Sequence, residues 1–114
     1  MKIVFDLGGT VFGLIDMSLR PGIKETIKNL RDNGNIVHFW TYGRKEDYAA
    51  LLRDTGIIGD VYPKDRPLPF KPDVCVDDEP QMWMPARVVR VAPHVAEDLP
   101  GGYITVEEIL SYAR

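Results

Sequence analysis

The chain has 114 residues, of which 45% are hydrophobic and 27% are charged, with a formal net charge of −3 at pH 7. These values are ordinary for a globular protein, and the length suits a single domain, residues 1–114, but not two. The weak negative charge without a long basic cluster argues against nucleic acid as a partner, and no apolar run is long enough to cross a membrane. The single cysteine, Cys75, excludes an internal disulfide and indicates a reducing, cytoplasmic location.

The first half of the chain alternates between short apolar runs and amphipathic stretches. The run Ile3–Phe5 is rich in β-forming residues and stops abruptly at Asp6, which predicts a buried strand. The sequence then predicts a helix opened by Arg20-Pro21-Gly22 and ended by Asn33-Gly34-Asn35, a strand at Ile36–Trp40 that runs into Thr41, and a helix at Lys45–Asp54 stopped by Gly56.

The second half continues the alternation after a proline-rich connection. Asp60–Tyr62 predicts a short third strand, and the four prolines of Pro63–Pro72 exclude a helix there. The later predicted elements are a strand at Asp73–Val76, a strand at Arg87–Ala92, and a helix at Thr105–Ala113 whose start matches a capping box. Alternating strands and helices predict an α/β fold with three layers and a parallel sheet of about five strands.

Three of the predicted strands end at oxygen-bearing side chains, namely Asp6, Thr41 and the pair Asp77-Asp78. In a parallel sheet these strand ends share one edge, so groups distant in sequence can converge there. Carboxylates held close together repel each other unless a cation joins them, and oxygen ligands without histidine or cysteine favour magnesium. We expect Lys71, just before the fourth strand, to meet the same crevice, either as an anion holder or in a surface ion pair.

The order of these residues resembles the haloacid dehalogenase (HAD-like) superfamily of hydrolases, in particular its small capless members. In that superfamily one strand ends in Asp-x-Asp-Gly-Thr, a second ends in Thr or Ser, a Lys follows, and a further strand ends in an acidic pair. The counterparts in this chain are Asp6-Leu7-Gly8-Gly9-Thr10, Thr41, Lys71 and Asp77-Asp78. The resemblance covers essentially the whole chain and implies a three-layer α/β/α sandwich with a Rossmannoid parallel sheet and no cap domain.

The resemblance also implies a nucleophile and a metal site. Asp6 would attack phosphorus and form an aspartyl phosphate. Mg²⁺ would be the cofactor, held by the carboxylate of Asp6, the backbone carbonyl of Gly8 and the acidic pair. Asp78 is the first choice as the direct ligand from that pair, with Asp77 in support.

Phosphate binding follows from the same resemblance. Thr41 and Lys71 would hold the phosphoryl oxygens and offset the charge that grows on them in the transition state. The backbone amides of Leu7 and Gly8 would help to cradle the same group. The implied function is that of a Mg²⁺-dependent phosphohydrolase, a phosphatase acting on a phosphorylated substrate that is either a small molecule or a macromolecule.

Position 8 departs from the family's pattern. The family places a second aspartate there as the general acid and base, and glycine cannot transfer a proton. General acid–base catalysis is worth about 10²- to 10⁴-fold in rate, so its loss would weaken or alter the reaction. Another acid, such as Glu79, Asp16 or Asp47, could substitute, or the leaving group could depart unaided. The alternative function is a catalytically impaired HAD-like module that binds phosphate or Mg²⁺ or has a regulatory role.

Two other motif interpretations carry less support. The segment Phe5–Thr10 is also similar to the phosphate-binding start of sugar kinases of the actin and hexokinase type, but those enzymes need two large lobes. A dinucleotide fold lacks its G-x-G-x-x-G motif here. Met82, Trp83 and Met84 follow the acidic pair, and we expect them either to line the crevice or to pack as core or cover.

Overall fold

A computed structural model describes residues 1–111 of the chain. The predicted order of strands and helices is confirmed, with small shifts at their ends. The last predicted helix is observed as Val106–Ser111, and Tyr112 and Ala113, its final predicted positions, lie outside the described residues. In chain order the elements are β1 (Lys2–Asp6), α1 (Ile23–Asp32), β2 (Ile36–Thr41), α2 (Lys45–Thr55), β3 (Val61–Pro63), β4 (Val74–Asp77), β5 (Arg87–Arg90) and α3 (Val106–Ser111).

The five strands form one parallel sheet in the order β3-β2-β1-β4-β5. β1 is central, with Phe5 aligned to Phe39 of β2 on one side and to Val76 of β4 on the other. The chain moves outward through β2 and β3 and then returns past β1 to β4 and β5. In open α/β sheets the ligand crevice lies beyond the carboxyl ends of the strands where this direction reverses.

All three helices pack on one face of the sheet. Side chains alternate between the two faces along each strand, so Ile3 and Phe5 of β1 point to the same side. They belong to the larger core cluster, which also contains the buried residues Ile27 of α1, Leu52 of α2 and Ile109 of α3. Burial of these apolar side chains ties each helix to the sheet.

The opposite face of the sheet is covered by loops. Val4, Trp40, Cys75 and Met84 form a smaller cluster there, and partly buried side chains of the covering segments pack against it. These segments, residues 64–73 and 78–86, are the β3–β4 and β4–β5 connections, which right-handed crossovers direct to this face. Within residues 1–111 the third layer of the expected sandwich is therefore made of loops, because the proline-rich connection cannot form a helix.

The final helix begins with the predicted capping box. The Glu108 backbone N–H donates to Thr105 Oγ1 at 3.2 Å, and the Thr105 N–H donates to the Glu108 carboxylate at 2.9 Å. Two N–H groups at the start of the helix thus find acceptors, which favours helix formation from Val106 onward.

Arg20 holds the loop after β1 in place from inside the protein. Its side chain is 1% exposed, and its guanidinium donates to the backbone carbonyls of Thr10 at 2.6 Å, Gly9 at 3.1 Å and Gly102 at 3.0 Å, and also to that of Ala92. A guanidinium is suited to this task because it carries several N–H donors in one plane. The loop that follows Asp6 is thereby fixed to the segments after β5.

We predict that Arg20→Met destabilises the protein by about 3 kcal/mol, because buried carbonyls left without a donor cost roughly 1–3 kcal/mol each. Urea denaturation measures the effect. Arg53→Met is the matched control, since Arg53 is exposed on α2 and its replacement should stay within about 0.5 kcal/mol. Equal stability of the two variants would contradict the structural role given to Arg20.

Candidate functional site

A cavity of about 230 Å³ lies beyond the carboxyl ends of β1, β2 and β4. Five of the predicted site residues line it, and they come from three strand ends and the loop after β1: Asp6, Gly8, Thr41, Asp77 and Asp78. The expected convergence of these groups at one edge of the sheet is therefore observed. The cavity is also lined by Leu14, Tyr42, Gly43, Tyr48, Lys64, Glu79 and Gln81.

The lysine of this cavity is Lys64, and the expectation for Lys71 is wrong in its geometry. Lys71 is exposed and does not line this cavity; it lines a second, adjoining cavity formed largely by the proline-rich connection. Lys64 directly follows β3, and its backbone N–H donates to the Thr41 carbonyl at 2.9 Å, which extends the pairing of β2 with β3. This pairing carries Lys64 to the same edge as the aspartates, whereas Lys71 precedes β4 and lies toward the opposite end of the sheet.

Lys64 bridges two buried aspartates. Its Nζ lies 2.8 Å from Asp6 Oδ1 and 2.9 Å from Asp77 Oδ2, with all three side chains less than one-tenth exposed. The same Nζ lies over the rings of Trp40 and Tyr42, at 5.5 Å and 5.3 Å from their centres. Burial disfavours the ammonium form, but the two carboxylates outweigh it and raise the pKa of Lys64, so this side chain stays positively charged.

Thr10 connects Asp6 to Asp78. Its hydroxyl lies 3.0 Å from Asp6 Oδ2 and 3.2 Å from Asp78 Oδ1, and it accepts the Asp78 backbone N–H at 3.1 Å. Thr10 is fully buried and belongs to the turn after β1. Thr10, the last residue of the segment Asp6–Thr10, therefore holds the carboxylate at the start of that segment close to Asp78.

The three carboxylates form a possible metal site. Asp6, Asp77 and Asp78 each offer an oxygen, and these oxygens lie within 4.8 Å of one another. With one ammonium beside three carboxylates, two negative charges are uncompensated when all the groups are ionised. Burial, opposed by Lys64 and reinforced by the negative charge of Asp77, raises the pKa of Asp6 well above its usual range. Ionisation of all three carboxylates at once is therefore unfavourable. A divalent cation that prefers oxygen ligands, such as Mg²⁺, fits this donor set.

Thr41 and Leu7 both stabilise backbone turns next to the cavity. The Thr41 hydroxyl accepts the backbone N–H of Gly43 at 2.9 Å, which fixes the turn after β2 and the direction of the hydroxyl. The Leu7 side chain is buried in the core and does not line the cavity, but its carbonyl accepts the N–H groups of residues 10, 11 and 12. These hydrogen bonds to Leu7 stabilise the loop that contains Gly8.

No family model, curated protein or solved structure matches this chain. In residues 1–111, every helix is too short or too polar to cross a membrane.

Two of the three acids expected as substitute proton donors lie outside the residues that line the cavity. Asp16 accepts hydrogen bonds from the Glu97 N–H and from the Ser18 hydroxyl and N–H, which together lower its pKa to about 2. Asp47 is exposed on α2, with Arg44 Nε 3.9 Å from its carboxylate. Glu79 does line the cavity, but its side chain is exposed to solvent.

A larger cavity of about 770 Å³ adjoins the first, and the two share Lys64. Trp83 lines it half-exposed, with its ring centre 5.5 Å from that of Trp40. Met84 is buried in the smaller core cluster and Met82 is fully exposed, so these neighbours have separate roles as cover, core and surface. The larger cavity has room for the part of a ligand that extends beyond the three aspartates.

We predict that Lys64→Met destabilises the protein by about 3 kcal/mol when no divalent cation is added, because breaking a buried ion pair leaves an uncompensated charge. Lys71→Met is the matched control and should change stability by less than about 0.5 kcal/mol, since Lys71 is exposed. Thermal and urea unfolding of both variants check the difference. An unchanged stability in Lys64→Met would show that the ion pairs of Lys64 with Asp6 and Asp77 do not stabilise the carboxyl-terminal edge of the sheet.

Proposed function

We propose that this protein is a Mg²⁺-dependent phosphohydrolase that acts through an aspartyl-phosphate intermediate, as its resemblance to the HAD-like superfamily implies. The observation that carries the proposal is the position of Asp6. Its carboxylate is buried at the end of the central strand, 2.8 Å from Lys64 Nζ, and shares one cavity with Asp77 and Asp78. A nucleophile, a fixed positive charge and a cation site for one phosphoryl group are thus supplied together.

The reaction has two steps at phosphorus. An oxygen of the Asp6 carboxylate attacks the phosphorus atom, and the bond from phosphorus to the leaving oxygen breaks. Water then attacks the phosphorus of the aspartyl phosphate, which releases inorganic phosphate and restores the carboxylate. Thr10 and Lys64 each hold one oxygen of the Asp6 carboxylate and so fix its orientation before the attack.

Lys64 takes the role that the resemblance assigned to Lys71. Its charge lies within the cavity and offsets the negative charge that develops on the phosphoryl oxygens. The Thr41 side chain lines the same cavity and can donate its hydroxyl proton to a phosphoryl oxygen, because the bond it accepts from the Gly43 N–H does not use that proton.

The metal would be held by the carboxylates of Asp6, Asp77 and Asp78 together with the backbone carbonyl of Gly8. Bound there, Mg²⁺ would neutralise charge on the phosphoryl group and reduce its repulsion from the attacking carboxylate. Asp77 is also engaged on both oxygens, by Lys64 Nζ at 2.9 Å and by the Glu79 N–H at 2.9 Å. Asp78 has no bond to Lys64 and remains the first choice as the direct ligand after β4.

A second candidate function is a phosphate- and Mg²⁺-binding module without efficient turnover. Gly8 favours it, because this residue cannot supply the proton transfer that the family's second aspartate performs. Both functions use the same carboxylates and the same lysine, so only turnover separates them.

We expect p-nitrophenyl phosphate to be hydrolysed in the presence of Mg²⁺ and not in the presence of EDTA, because its good leaving group needs little proton assistance. Asp6→Asn should abolish the activity, since an amide is a poor nucleophile. Asp32→Asn, an exposed change on α1, serves as the control and should retain it. Saturable Mg²⁺ binding with no release of p-nitrophenol by the wild type would favour the binding module instead.

Mg²⁺ should also stabilise the folded protein in a saturable way, by about 2.7 kcal/mol at a concentration one hundred times its Kd. The gain arises because the aspartates are brought together only in the folded chain. Thermal unfolding at constant ionic strength, with Na⁺ in place of Mg²⁺ as the reference, measures it. Asp78→Asn should reduce the gain, and an equal gain in this variant would remove Asp78 from the metal site.

A further inference from the structure

The side chain that faces position 8 is that of Tyr48. A Cβ atom built on Gly8 would lie 2.9 Å from the Tyr48 hydroxyl oxygen and 3.8 Å from the ring carbon that bears it. Apart from the chain neighbours of Gly8, no other heavy atom of the described residues lies within 4 Å of that point. The Tyr48 hydroxyl therefore borders the space that an aspartate at position 8 would enter.

Tyr48 is held in this position by the turn after β2 and by the loop after β1. It lies in the first turn of α2, and a Cβ on Gly43 would meet its ring at 2.8 Å, so the glycine leaves room for the ring. On another side the ring centre lies 6.1 Å from that of Phe12. The half-buried tyrosine thus directs its hydroxyl into the cavity that also contains Asp6 and Thr41.

We propose that Tyr48 is the proton donor of the phosphohydrolase reaction and substitutes for the acid that Gly8 lacks; this inference rests on the proposed function. When the bond from phosphorus to the leaving oxygen breaks, the phenol O–H bond also breaks and its proton moves to that oxygen, which departs as a neutral alcohol. In the second step the tyrosinate takes a proton from the water that attacks the aspartyl phosphate. One water is consumed, and Tyr48 returns to its phenol form.

The protonation state of Tyr48 is suited to this role. A phenol ordinarily loses its proton only well above neutral pH, so a tyrosine at this place carries a proton that it can donate. An alkoxide leaving group is a far stronger base than a phenolate, so the transfer is favourable once the bond to phosphorus is largely broken. A good aryl leaving group is a weak base and gains little from the same transfer.

Glu79 is the competing donor within the cavity, and the geometry favours Tyr48. The Glu79 side chain is exposed, and its backbone N–H donates a hydrogen bond to the carboxylate of Asp77 at the end of β4. The Tyr48 hydroxyl lies instead beside Gly8, the position at which the HAD-like superfamily has its second aspartate. The position of the missing group therefore selects the tyrosine.

The test is Tyr48→Phe, which removes one oxygen and keeps the packing ring. Values of kcat/KM are compared for p-nitrophenyl phosphate and for a primary alkyl phosphate such as propyl phosphate, with phenyl phosphates of intermediate leaving-group pKa between them. We expect a loss of about 10²-fold or more on the alkyl ester and less than about threefold on p-nitrophenyl phosphate. A plot of log kcat/KM against leaving-group pKa should become steeper. Tyr103→Phe is the matched control, because Tyr103 is exposed and does not line the cavity.

A second variant tests the shared space directly. Adding Gly8→Asp to Tyr48→Phe places a carboxyl group where the phenol oxygen was removed, and we expect activity on the alkyl ester to recover. Equal losses on both esters in Tyr48→Phe, or no loss on the alkyl ester, would overturn the role of Tyr48. Wild-type turnover of the aryl ester alone would overturn it too and leave the proposed function standing. Turnover of neither ester by the wild type would overturn both.

Discussion

The constraint on which the site depends is the enforced proximity of three carboxylates at the end of the central strand. Strand pairing, Thr10 and the loop after β1 bring one carboxylate oxygen each of Asp6, Asp77 and Asp78 within 4.8 Å of one another. Like charges in a buried place are unfavourable, and Lys64 compensates only one of them. Strand pairing on both sides of β1 and the hydrogen bonds of Arg20 to the loop after β1 hold these carboxylates together against their repulsion.

Much of the fold could be predicted because it is encoded locally. The apolar runs that form β1, β2 and β4 are bounded by polar or turn-forming residues, and each helix has its own stop or cap, as Gly56 and Thr105 illustrate. The four prolines of Pro63–Pro72 exclude a helix in the β3–β4 connection, but the way in which this connection covers the sheet could not be predicted in the same way. It depends on where the proline-rich connection crosses the sheet, and the burial of Phe70 against Trp40 and its neighbours is a property of tertiary packing.

The residues of the site likewise fall into those that local sequence predicts and those that depend on tertiary packing. Asp6, Thr41, Asp77 and Asp78 could be placed because the ends of parallel strands lie at one edge, so strand prediction is enough. Lys64 was missed although it directly follows the short strand β3, and the same rule applied to that strand would have found it. Tyr48 left no comparable signal. Its position at an apolar site of α2 predicts packing, and only the volume left by Gly8 and Gly43 shows that its hydroxyl reaches the cavity.

The contact between Gly8 and Tyr48 has a consequence for substitutions at either position. The two positions are 40 residues apart in the chain, but a side chain at one competes with the hydroxyl at the other for a single volume. We therefore expect substitutions at these positions to be non-additive, because the effect of a change at either one on stability depends on the residue present at the other. A larger side chain at position 8 would therefore require the Tyr48 hydroxyl to shift or to be removed.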